Sequence, residues 1–94
     1  MHVLDDLTIQ RELGRLPGWA RRGSTLTKTF TFAKFPDGIA FIDRVALAAE
    51  RMNHHPDLDI RFTKITATLS THDAGGITQS DIDLALEMEK TAEG

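Results

Sequence analysis

The feature that most constrains this chain is one amphipathic run, Ile39 to Met52, which stops abruptly at Asn53-His54-His55-Pro56. Ile39, Ile42, Val45, Ala46, Ala49 and Met52 recur at steps of three and four, the spacing of one helix face, while Phe41 and Leu47 lie beside that stripe and broaden it. Pro56 disfavours helical geometry at His55, so the helix has to end just before it. On both sides of the helix the period falls to two. Upstream, Leu26, Lys28, Phe30 and Phe32 alternate with Thr25, Thr27, Thr29 and Thr31. Downstream, Leu58, Ile60 and Phe62 alternate with Asp59, Arg61 and Thr63, and Ile65, Ala67 and Leu69 alternate with Thr66, Thr68 and Ser70. Such alternation marks half-buried strands, and the change of parity at Thr63-Lys64 places a turn between the last two.

The flanks complete the pattern. Leu7, Ile9, Leu13 and Leu16 suit a short helix from Asp6 to Leu16, ended by Pro17-Gly18. Trp19 to Arg22 then pairs with Thr25 to Phe32 across the Gly23-Ser24 turn, and Asp37 is the expected N-cap of the central helix. Thr78 and Asp81 resemble a capping box with aspartate in place of glutamate, opening a last helix that carries Ile82, Leu84, Ala85, Leu86 and Met88. The predicted order is αββαββα. Two hairpins separated by a long helix predict an α+β fold, a four-stranded antiparallel sheet with the helices packed on one face. A chain of 94 residues holds one core, so residues 1–94 are expected to form a single domain. The exposed edges of a small sheet and the broad apolar face of its central helix leave room for pairing with a second subunit.

Composition narrows the functional classes. A net charge of -3 without a basic cluster argues against nucleic acid, whose phosphates need clustered cations. The absence of cysteine removes disulfides and thiolate metal sites. No apolar stretch reaches the length of a membrane span and the amino terminus lacks the basic start of a signal peptide, so a cytoplasmic location is expected.

Chemistry is concentrated at the end of the central helix. Three of the four histidines, His54, His55 and His72, are expected to meet there, His72 returning on the run Leu69-Ser70-Thr71-His72. Glu50 and His54 are four apart and should share a helix face. That carboxylate and the helix C-terminus both favour the protonated form of His54. Asp73 and Asp81 are further carboxylates within reach of His72. Imidazoles in different surroundings can donate and accept protons within one reaction step. A metal site is disfavoured because adjacent histidines lack the i, i+4 spacing that puts two ligands on one helix face. Trp19, the single tryptophan, is read either as a core plug or as an aromatic wall near a ligand.

Glu50, His54-His55-Pro56, Phe62, His72 and Asp81, with the runs from Arg44 to Glu50 and from Leu69 to His72 and the pair Gly18-Trp19, resemble the signature of the pterin-4a-carbinolamine dehydratases over nearly the whole chain. That family is also known as a dimerisation cofactor of a homeodomain transcription factor. The resemblance implies a metal-free, cofactor-free enzyme that removes water from a 4a-hydroxytetrahydropterin to give quinonoid dihydropterin, recycling the cofactor of aromatic amino-acid hydroxylases. It implies His54 and His72 as the acid/base pair, His55 as the residue that binds and orients the pterin, and Glu50, Asn53, Asp81 and Trp19 in supporting places. It also implies a homodimer by sheet extension or a homotetramer through the central helix. The alternative within the same fold is a non-catalytic binding or assembly cofactor. Two positions depart from the family pattern: Asn53 stands where many members have aspartate, and Ser80 where animal members have arginine.

Overall fold

The computed structural model describes residues 2–93 and follows the predicted order: α1 (Asp6–Leu13), β1 (Ala20–Arg22), β2 (Thr25–Thr31), α2 (Phe35–Met52), β3 (Asp57–Arg61), β4 (Lys64–Leu69) and α3 (Gln79–Glu93), with a single 3-10 turn at His72–Ala74 before α3. The four strands form one antiparallel sheet in the order β1-β2-β4-β3. Phe30 is paired with Ile65, and Leu26 with Leu69, so the apolar residues of the two central strands lie on the same face. Ile9 of α1, Phe41 and Val45 of α2, and Ile82, Ala85 and Met88 of α3 complete the core on that side. The threonines of β2 and β4 occupy the opposite face, where Thr29 and Thr66 join hydroxyls at 2.8 Å. The sheet is therefore covered on one face, the α+β arrangement expected from its alternating strands.

Local chemistry moves several boundaries. The regular part of α1 ends at Leu13 rather than Leu16, because the chain tightens into bonds from Gly14 N–H to Arg11 O, Arg15 N–H to Glu12 O and Leu16 N–H to Leu13 O. These three-residue steps carry buried Leu16 to the Pro17-Gly18 turn. The expected cap at Asp37 is not formed. α2 starts earlier, at Phe35, with Lys34 as its N-cap residue and no side-chain cap. Pro36 is tolerated in the first turn, where its missing N–H costs nothing, and Asp37 lies within that turn.

The buried face of α2 is Gly38, Phe41, Val45, Ala48 and Ala49, so the true stripe is rotated from the expected one. Phe41, placed beside the stripe by the sequence, is fully buried and packs on Phe30 and Phe32 at ring-centroid distances of 4.8 and 5.1 Å. Ala46 is exposed. Two overlapping periodic sets exist in so apolar a helix, and the aromatic set buries more surface. Gly38 lets the helix approach the sheet closely, since a Cβ there would lie 2.9 Å from Ile65 Cδ1. Phe62, counted among the strand residues, instead sits in the turn between β3 and β4 with φ of 53° and its ring exposed.

Candidate active site

The end of α2 is built by backbone geometry. Asn53 adopts the left-handed conformation (φ 51°, ψ 43°), its N–H donates to Glu50 O at 3.2 Å, and His54 N–H donates to Ala49 O at 3.0 Å. This pair of bonds is a Schellman motif, which satisfies the last helical carbonyls and turns the chain sharply. Asparagine tolerates the left-handed region better than most residues with a Cβ. The reversal points His54 and His55 in opposite directions.

His54 turns inward. Its Nε2 lies 2.6 Å from Oδ1 of Asp81, a fully buried residue in the first turn of α3. The other carboxylate oxygen, Oδ2, accepts the Thr71 hydroxyl at 2.8 Å and the Thr78 N–H at 2.9 Å. The Thr78 N–H bond is one half of the capping box expected from sequence, and the same aspartate reaches across to the histidine. His55 turns outward, and its Nε2 lies 2.5 Å from Glu50 Oε2 on the exposed side of the helix end. The expected Glu50–His54 pair is thus replaced by Glu50–His55. An i, i+4 contact needs helical geometry through both residues, and the helix has ended at Met52.

His72 comes from the other side. β4 ends at Leu69, and Thr71 closes a short loop by pairing with Gly76, its N–H donating to Gly76 O at 2.9 Å. His72 is exposed at the start of the 3-10 turn inside that loop. Neither Asp73 nor Asp81 pairs with it, and no partner holds its ring among the described residues.

Between these two segments is a cleft of about 230 Å³, lined by Asn53, His54 and His55 from the end of α2 and by residues 70–73 after β4. All three sequence-predicted histidines line it, together with Asn53, while Asp81 sits behind His54 and Glu50 beside His55. Trp19 is not brought to the cleft. It is a core plug, edge-on to Phe30 at 6.0 Å, with Nε1–H donating to Glu89 Oε1 at 3.0 Å. Ser70, Thr71 and Thr78 belong to the site region without having been expected there as site residues, Thr78 having been read only as a helix cap. Ser70 had the parity of the polar half of its strand, and the signal for both Ser70 and Thr71 was their place in the Leu69–His72 run that carries the family resemblance. Among the described residues, no group of three or more His, Asp or Glu side chains converges as metal ligands.

Two imidazoles facing one cleft from different elements can serve as a proton donor and acceptor on opposite sides of a bound molecule. The buried Asp81 carboxylate fixes the Nε2 side of His54 and leaves Nδ1 as its nitrogen free of that bond. His55 and His72 are open to solvent and able to contact a polar ligand.

Comparison with known proteins gives the chain a family. The sequence profile described as Pterin 4 alpha carbinolamine dehydratase matches residues 2–91. A provisionally named pterin-4-alpha-carbinolamine dehydratase of Roseiflexus sp. (strain RS-1) is 51% identical over 93% of this chain and 94% of its own length. One from Nocardia farcinica (strain IFM 10152), named in the same way, is 50% identical over 96% of this chain and 95% of its own. Among solved structures, a transcriptional coactivator/pterin dehydratase from Brucella melitensis superposes with a TM-score of 0.93 at 30% identity, covering 97% of this chain and 99% of that one. A pterin dehydratase-like RuBisCO assembly factor of the alpha-carboxysome shares the fold, with a TM-score of 0.68 at 24% identity over 80% of this chain and 89% of that one. With its sequence and its fold in agreement, the chain belongs to the pterin 4 alpha carbinolamine dehydratase family.

Proposed function

We propose that the protein dehydrates 4a-hydroxytetrahydropterins to the quinonoid dihydropterin by histidine acid/base catalysis. One observation carries this reading: three imidazoles line a single cleft, and one of them is backed by a buried carboxylate. In the reaction the bond between C4a and the hydroxyl oxygen breaks. The leaving oxygen takes a proton from a general acid and departs as water, while a proton on the pterin nitrogen side passes to a general base and its electron pair forms the new double bond. The proton given and the proton taken balance, so the site needs one acid and one base and no net redox chemistry.

His54 and His72 suit the acid/base pair because they come to the cleft from separate elements, an arrangement that supports approach to a flat bicyclic ligand from different sides. His55, held by Glu50, suits binding and orientation of the pterin's polar edge. Recycling of the pterin cofactor of aromatic amino-acid hydroxylases is the physiological role that fits this chemistry.

The test is a coupled hydroxylase assay in which carbinolamine breakdown limits the signal. His54→Ala and His72→Ala are each expected to lower kcat by about 10² or more, the usual contribution of one positioned acid or base. Full activity in the double variant would sink the assigned roles.

A further inference from the structure

Among the described residues the buried polar side chains are Thr71, Thr78 and Asp81, and all three belong to one connected network behind His54. We propose that Thr71 is a positioning residue that locks the Asp81 carboxylate and so sets His54 and His72 as a single unit. The kinetic consequence rests on the dehydratase reading above; the hydrogen-bond assignment does not.

The direction of each bond follows from the inventory of donors. Asp81 uses both oxygens as acceptors, taking His54 Nε2–H on Oδ1 and two donors on Oδ2. A hydroxyl has one proton to give, and Thr71 gives its proton to Asp81 Oδ2. The 2.7 Å contact between the two threonine hydroxyls must then run from Thr78 to Thr71. Thr78 Oγ1 in turn accepts the Ser80 N–H at 3.3 Å. The chain is therefore polarised toward the carboxylate, each donor strengthening the next acceptor. With Oδ2 held by two donors, the carboxylate cannot rotate, and Oδ1 is reserved for His54. That selects the Nε2–H tautomer of His54 and leaves Nδ1 as the ring nitrogen available for proton exchange.

Thr71 also acts through its backbone. Its N–H and C=O close the loop that carries His72, the carbonyl accepting the N–H of Ala74 at 3.1 Å and of Gly75 at 3.0 Å. One residue thus holds the support of one imidazole by its side chain and the loop of the other by its main chain. A capping role alone would need only Thr78 and Asp81. It would not need the Thr71 hydroxyl, which lies in a different element.

Proton NMR and kinetics test the assignment on the full chain. In the wild type, a low-field His54 Nε2–H resonance and a Thr71 hydroxyl proton protected from exchange are expected. In Thr71→Val the Nε2–H signal should broaden or vanish and kcat fall about tenfold with KM changed less than about twofold. Thr71→Ser should restore the signal and most of the rate. Absence of both protected protons in the wild type overturns the proposal, even if Thr71→Val does not fold. So does an unchanged Nε2–H signal in a folded Thr71→Val. If the wild type shows the protected protons and the Thr71→Val loss but has no dehydratase activity, the positioning stands and the functional reading fails.

Discussion

Asn53 shows how one residue's conformation decides the chemistry of its neighbours. Its left-handed backbone ends α2, and the turn it makes sends His54 to Asp81 and His55 to Glu50. A β-branched residue pays heavily in that region of backbone space. Asn53→Val should therefore cost roughly 2 kcal/mol in urea unfolding and reduce activity as the two histidines lose their divergence. Asn53→Asp keeps a residue that tolerates the left-handed region but adds negative charge at a helix C-terminus, which costs about 0.5 kcal/mol. Unfolding curves that leave both variants as stable as the wild type would contradict this account. The sequence signalled a corner here, because Pro56 forbids continuation of the helix. Which carboxylate met which histidine was not legible, since a single left-handed residue changes the pairing and its dihedral angles leave no mark on hydrophobic periodicity.

At the scale of elements, caps and cross-ties hold the site's supports in place. Asp5 is the N-cap of α1, its Oδ1 accepting Thr8 N–H at 2.8 Å. Hydrogen bonds from the Thr8 side chain and backbone lower its pKa below 3.8. A carboxylate with a depressed folded-state pKa stabilises the fold above its unfolded pKa and loses that contribution as pH falls through the lower, folded value. Protection of the Thr8 amide, relative to its intrinsic exchange, should thus fall as pH drops below the ordinary aspartate range, and Asp5→Asn should flatten that dependence. At the other side of the core, Trp19, Lys28 and Glu89 tie the first hairpin to α3, with Lys28 Nζ also bonded to Pro17 O at 2.9 Å and to Glu89. Trp19→Phe removes the indole donor and leaves Glu89 a bond short, which should cost about 1–2 kcal/mol in stability. It should leave kcat within about twofold, because the ring packs on Phe30 away from the cleft. A large loss of kcat without loss of stability would return Trp19 to the substrate's surroundings.

At the scale of the whole molecule, several apolar side chains remain outside the core. Leu47 on α2 is 71% exposed and Phe62 after β3 is 75% exposed, and β3 is an edge of the sheet. Burying such surface against a second copy is favourable at about 25 cal/mol per Å² of apolar area. Sedimentation is expected to find a mass above that of one chain, and Leu47→Glu should lower it if α2 forms the contact. A monomer at all concentrations would remove self-association from the account. Among the described residues no helix is long and apolar enough to cross a membrane.

The sequence by itself determined the element order, the antiparallel hairpins, the helix stop before Pro56 and the gathering of His54, His55 and His72. Each depends on local rules: the period of apolar residues, the φ restriction of proline and the parity of strands. The tertiary structure decided what lies between elements. It rotated the buried face of α2 onto Phe41, chose the core-plug reading of Trp19, and bonded Asp81 directly to His54 while Thr71 holds the other carboxylate oxygen. Those choices depend on which distant surfaces pack together and which buried polar atoms must find partners. Spacing along the chain carries no record of either.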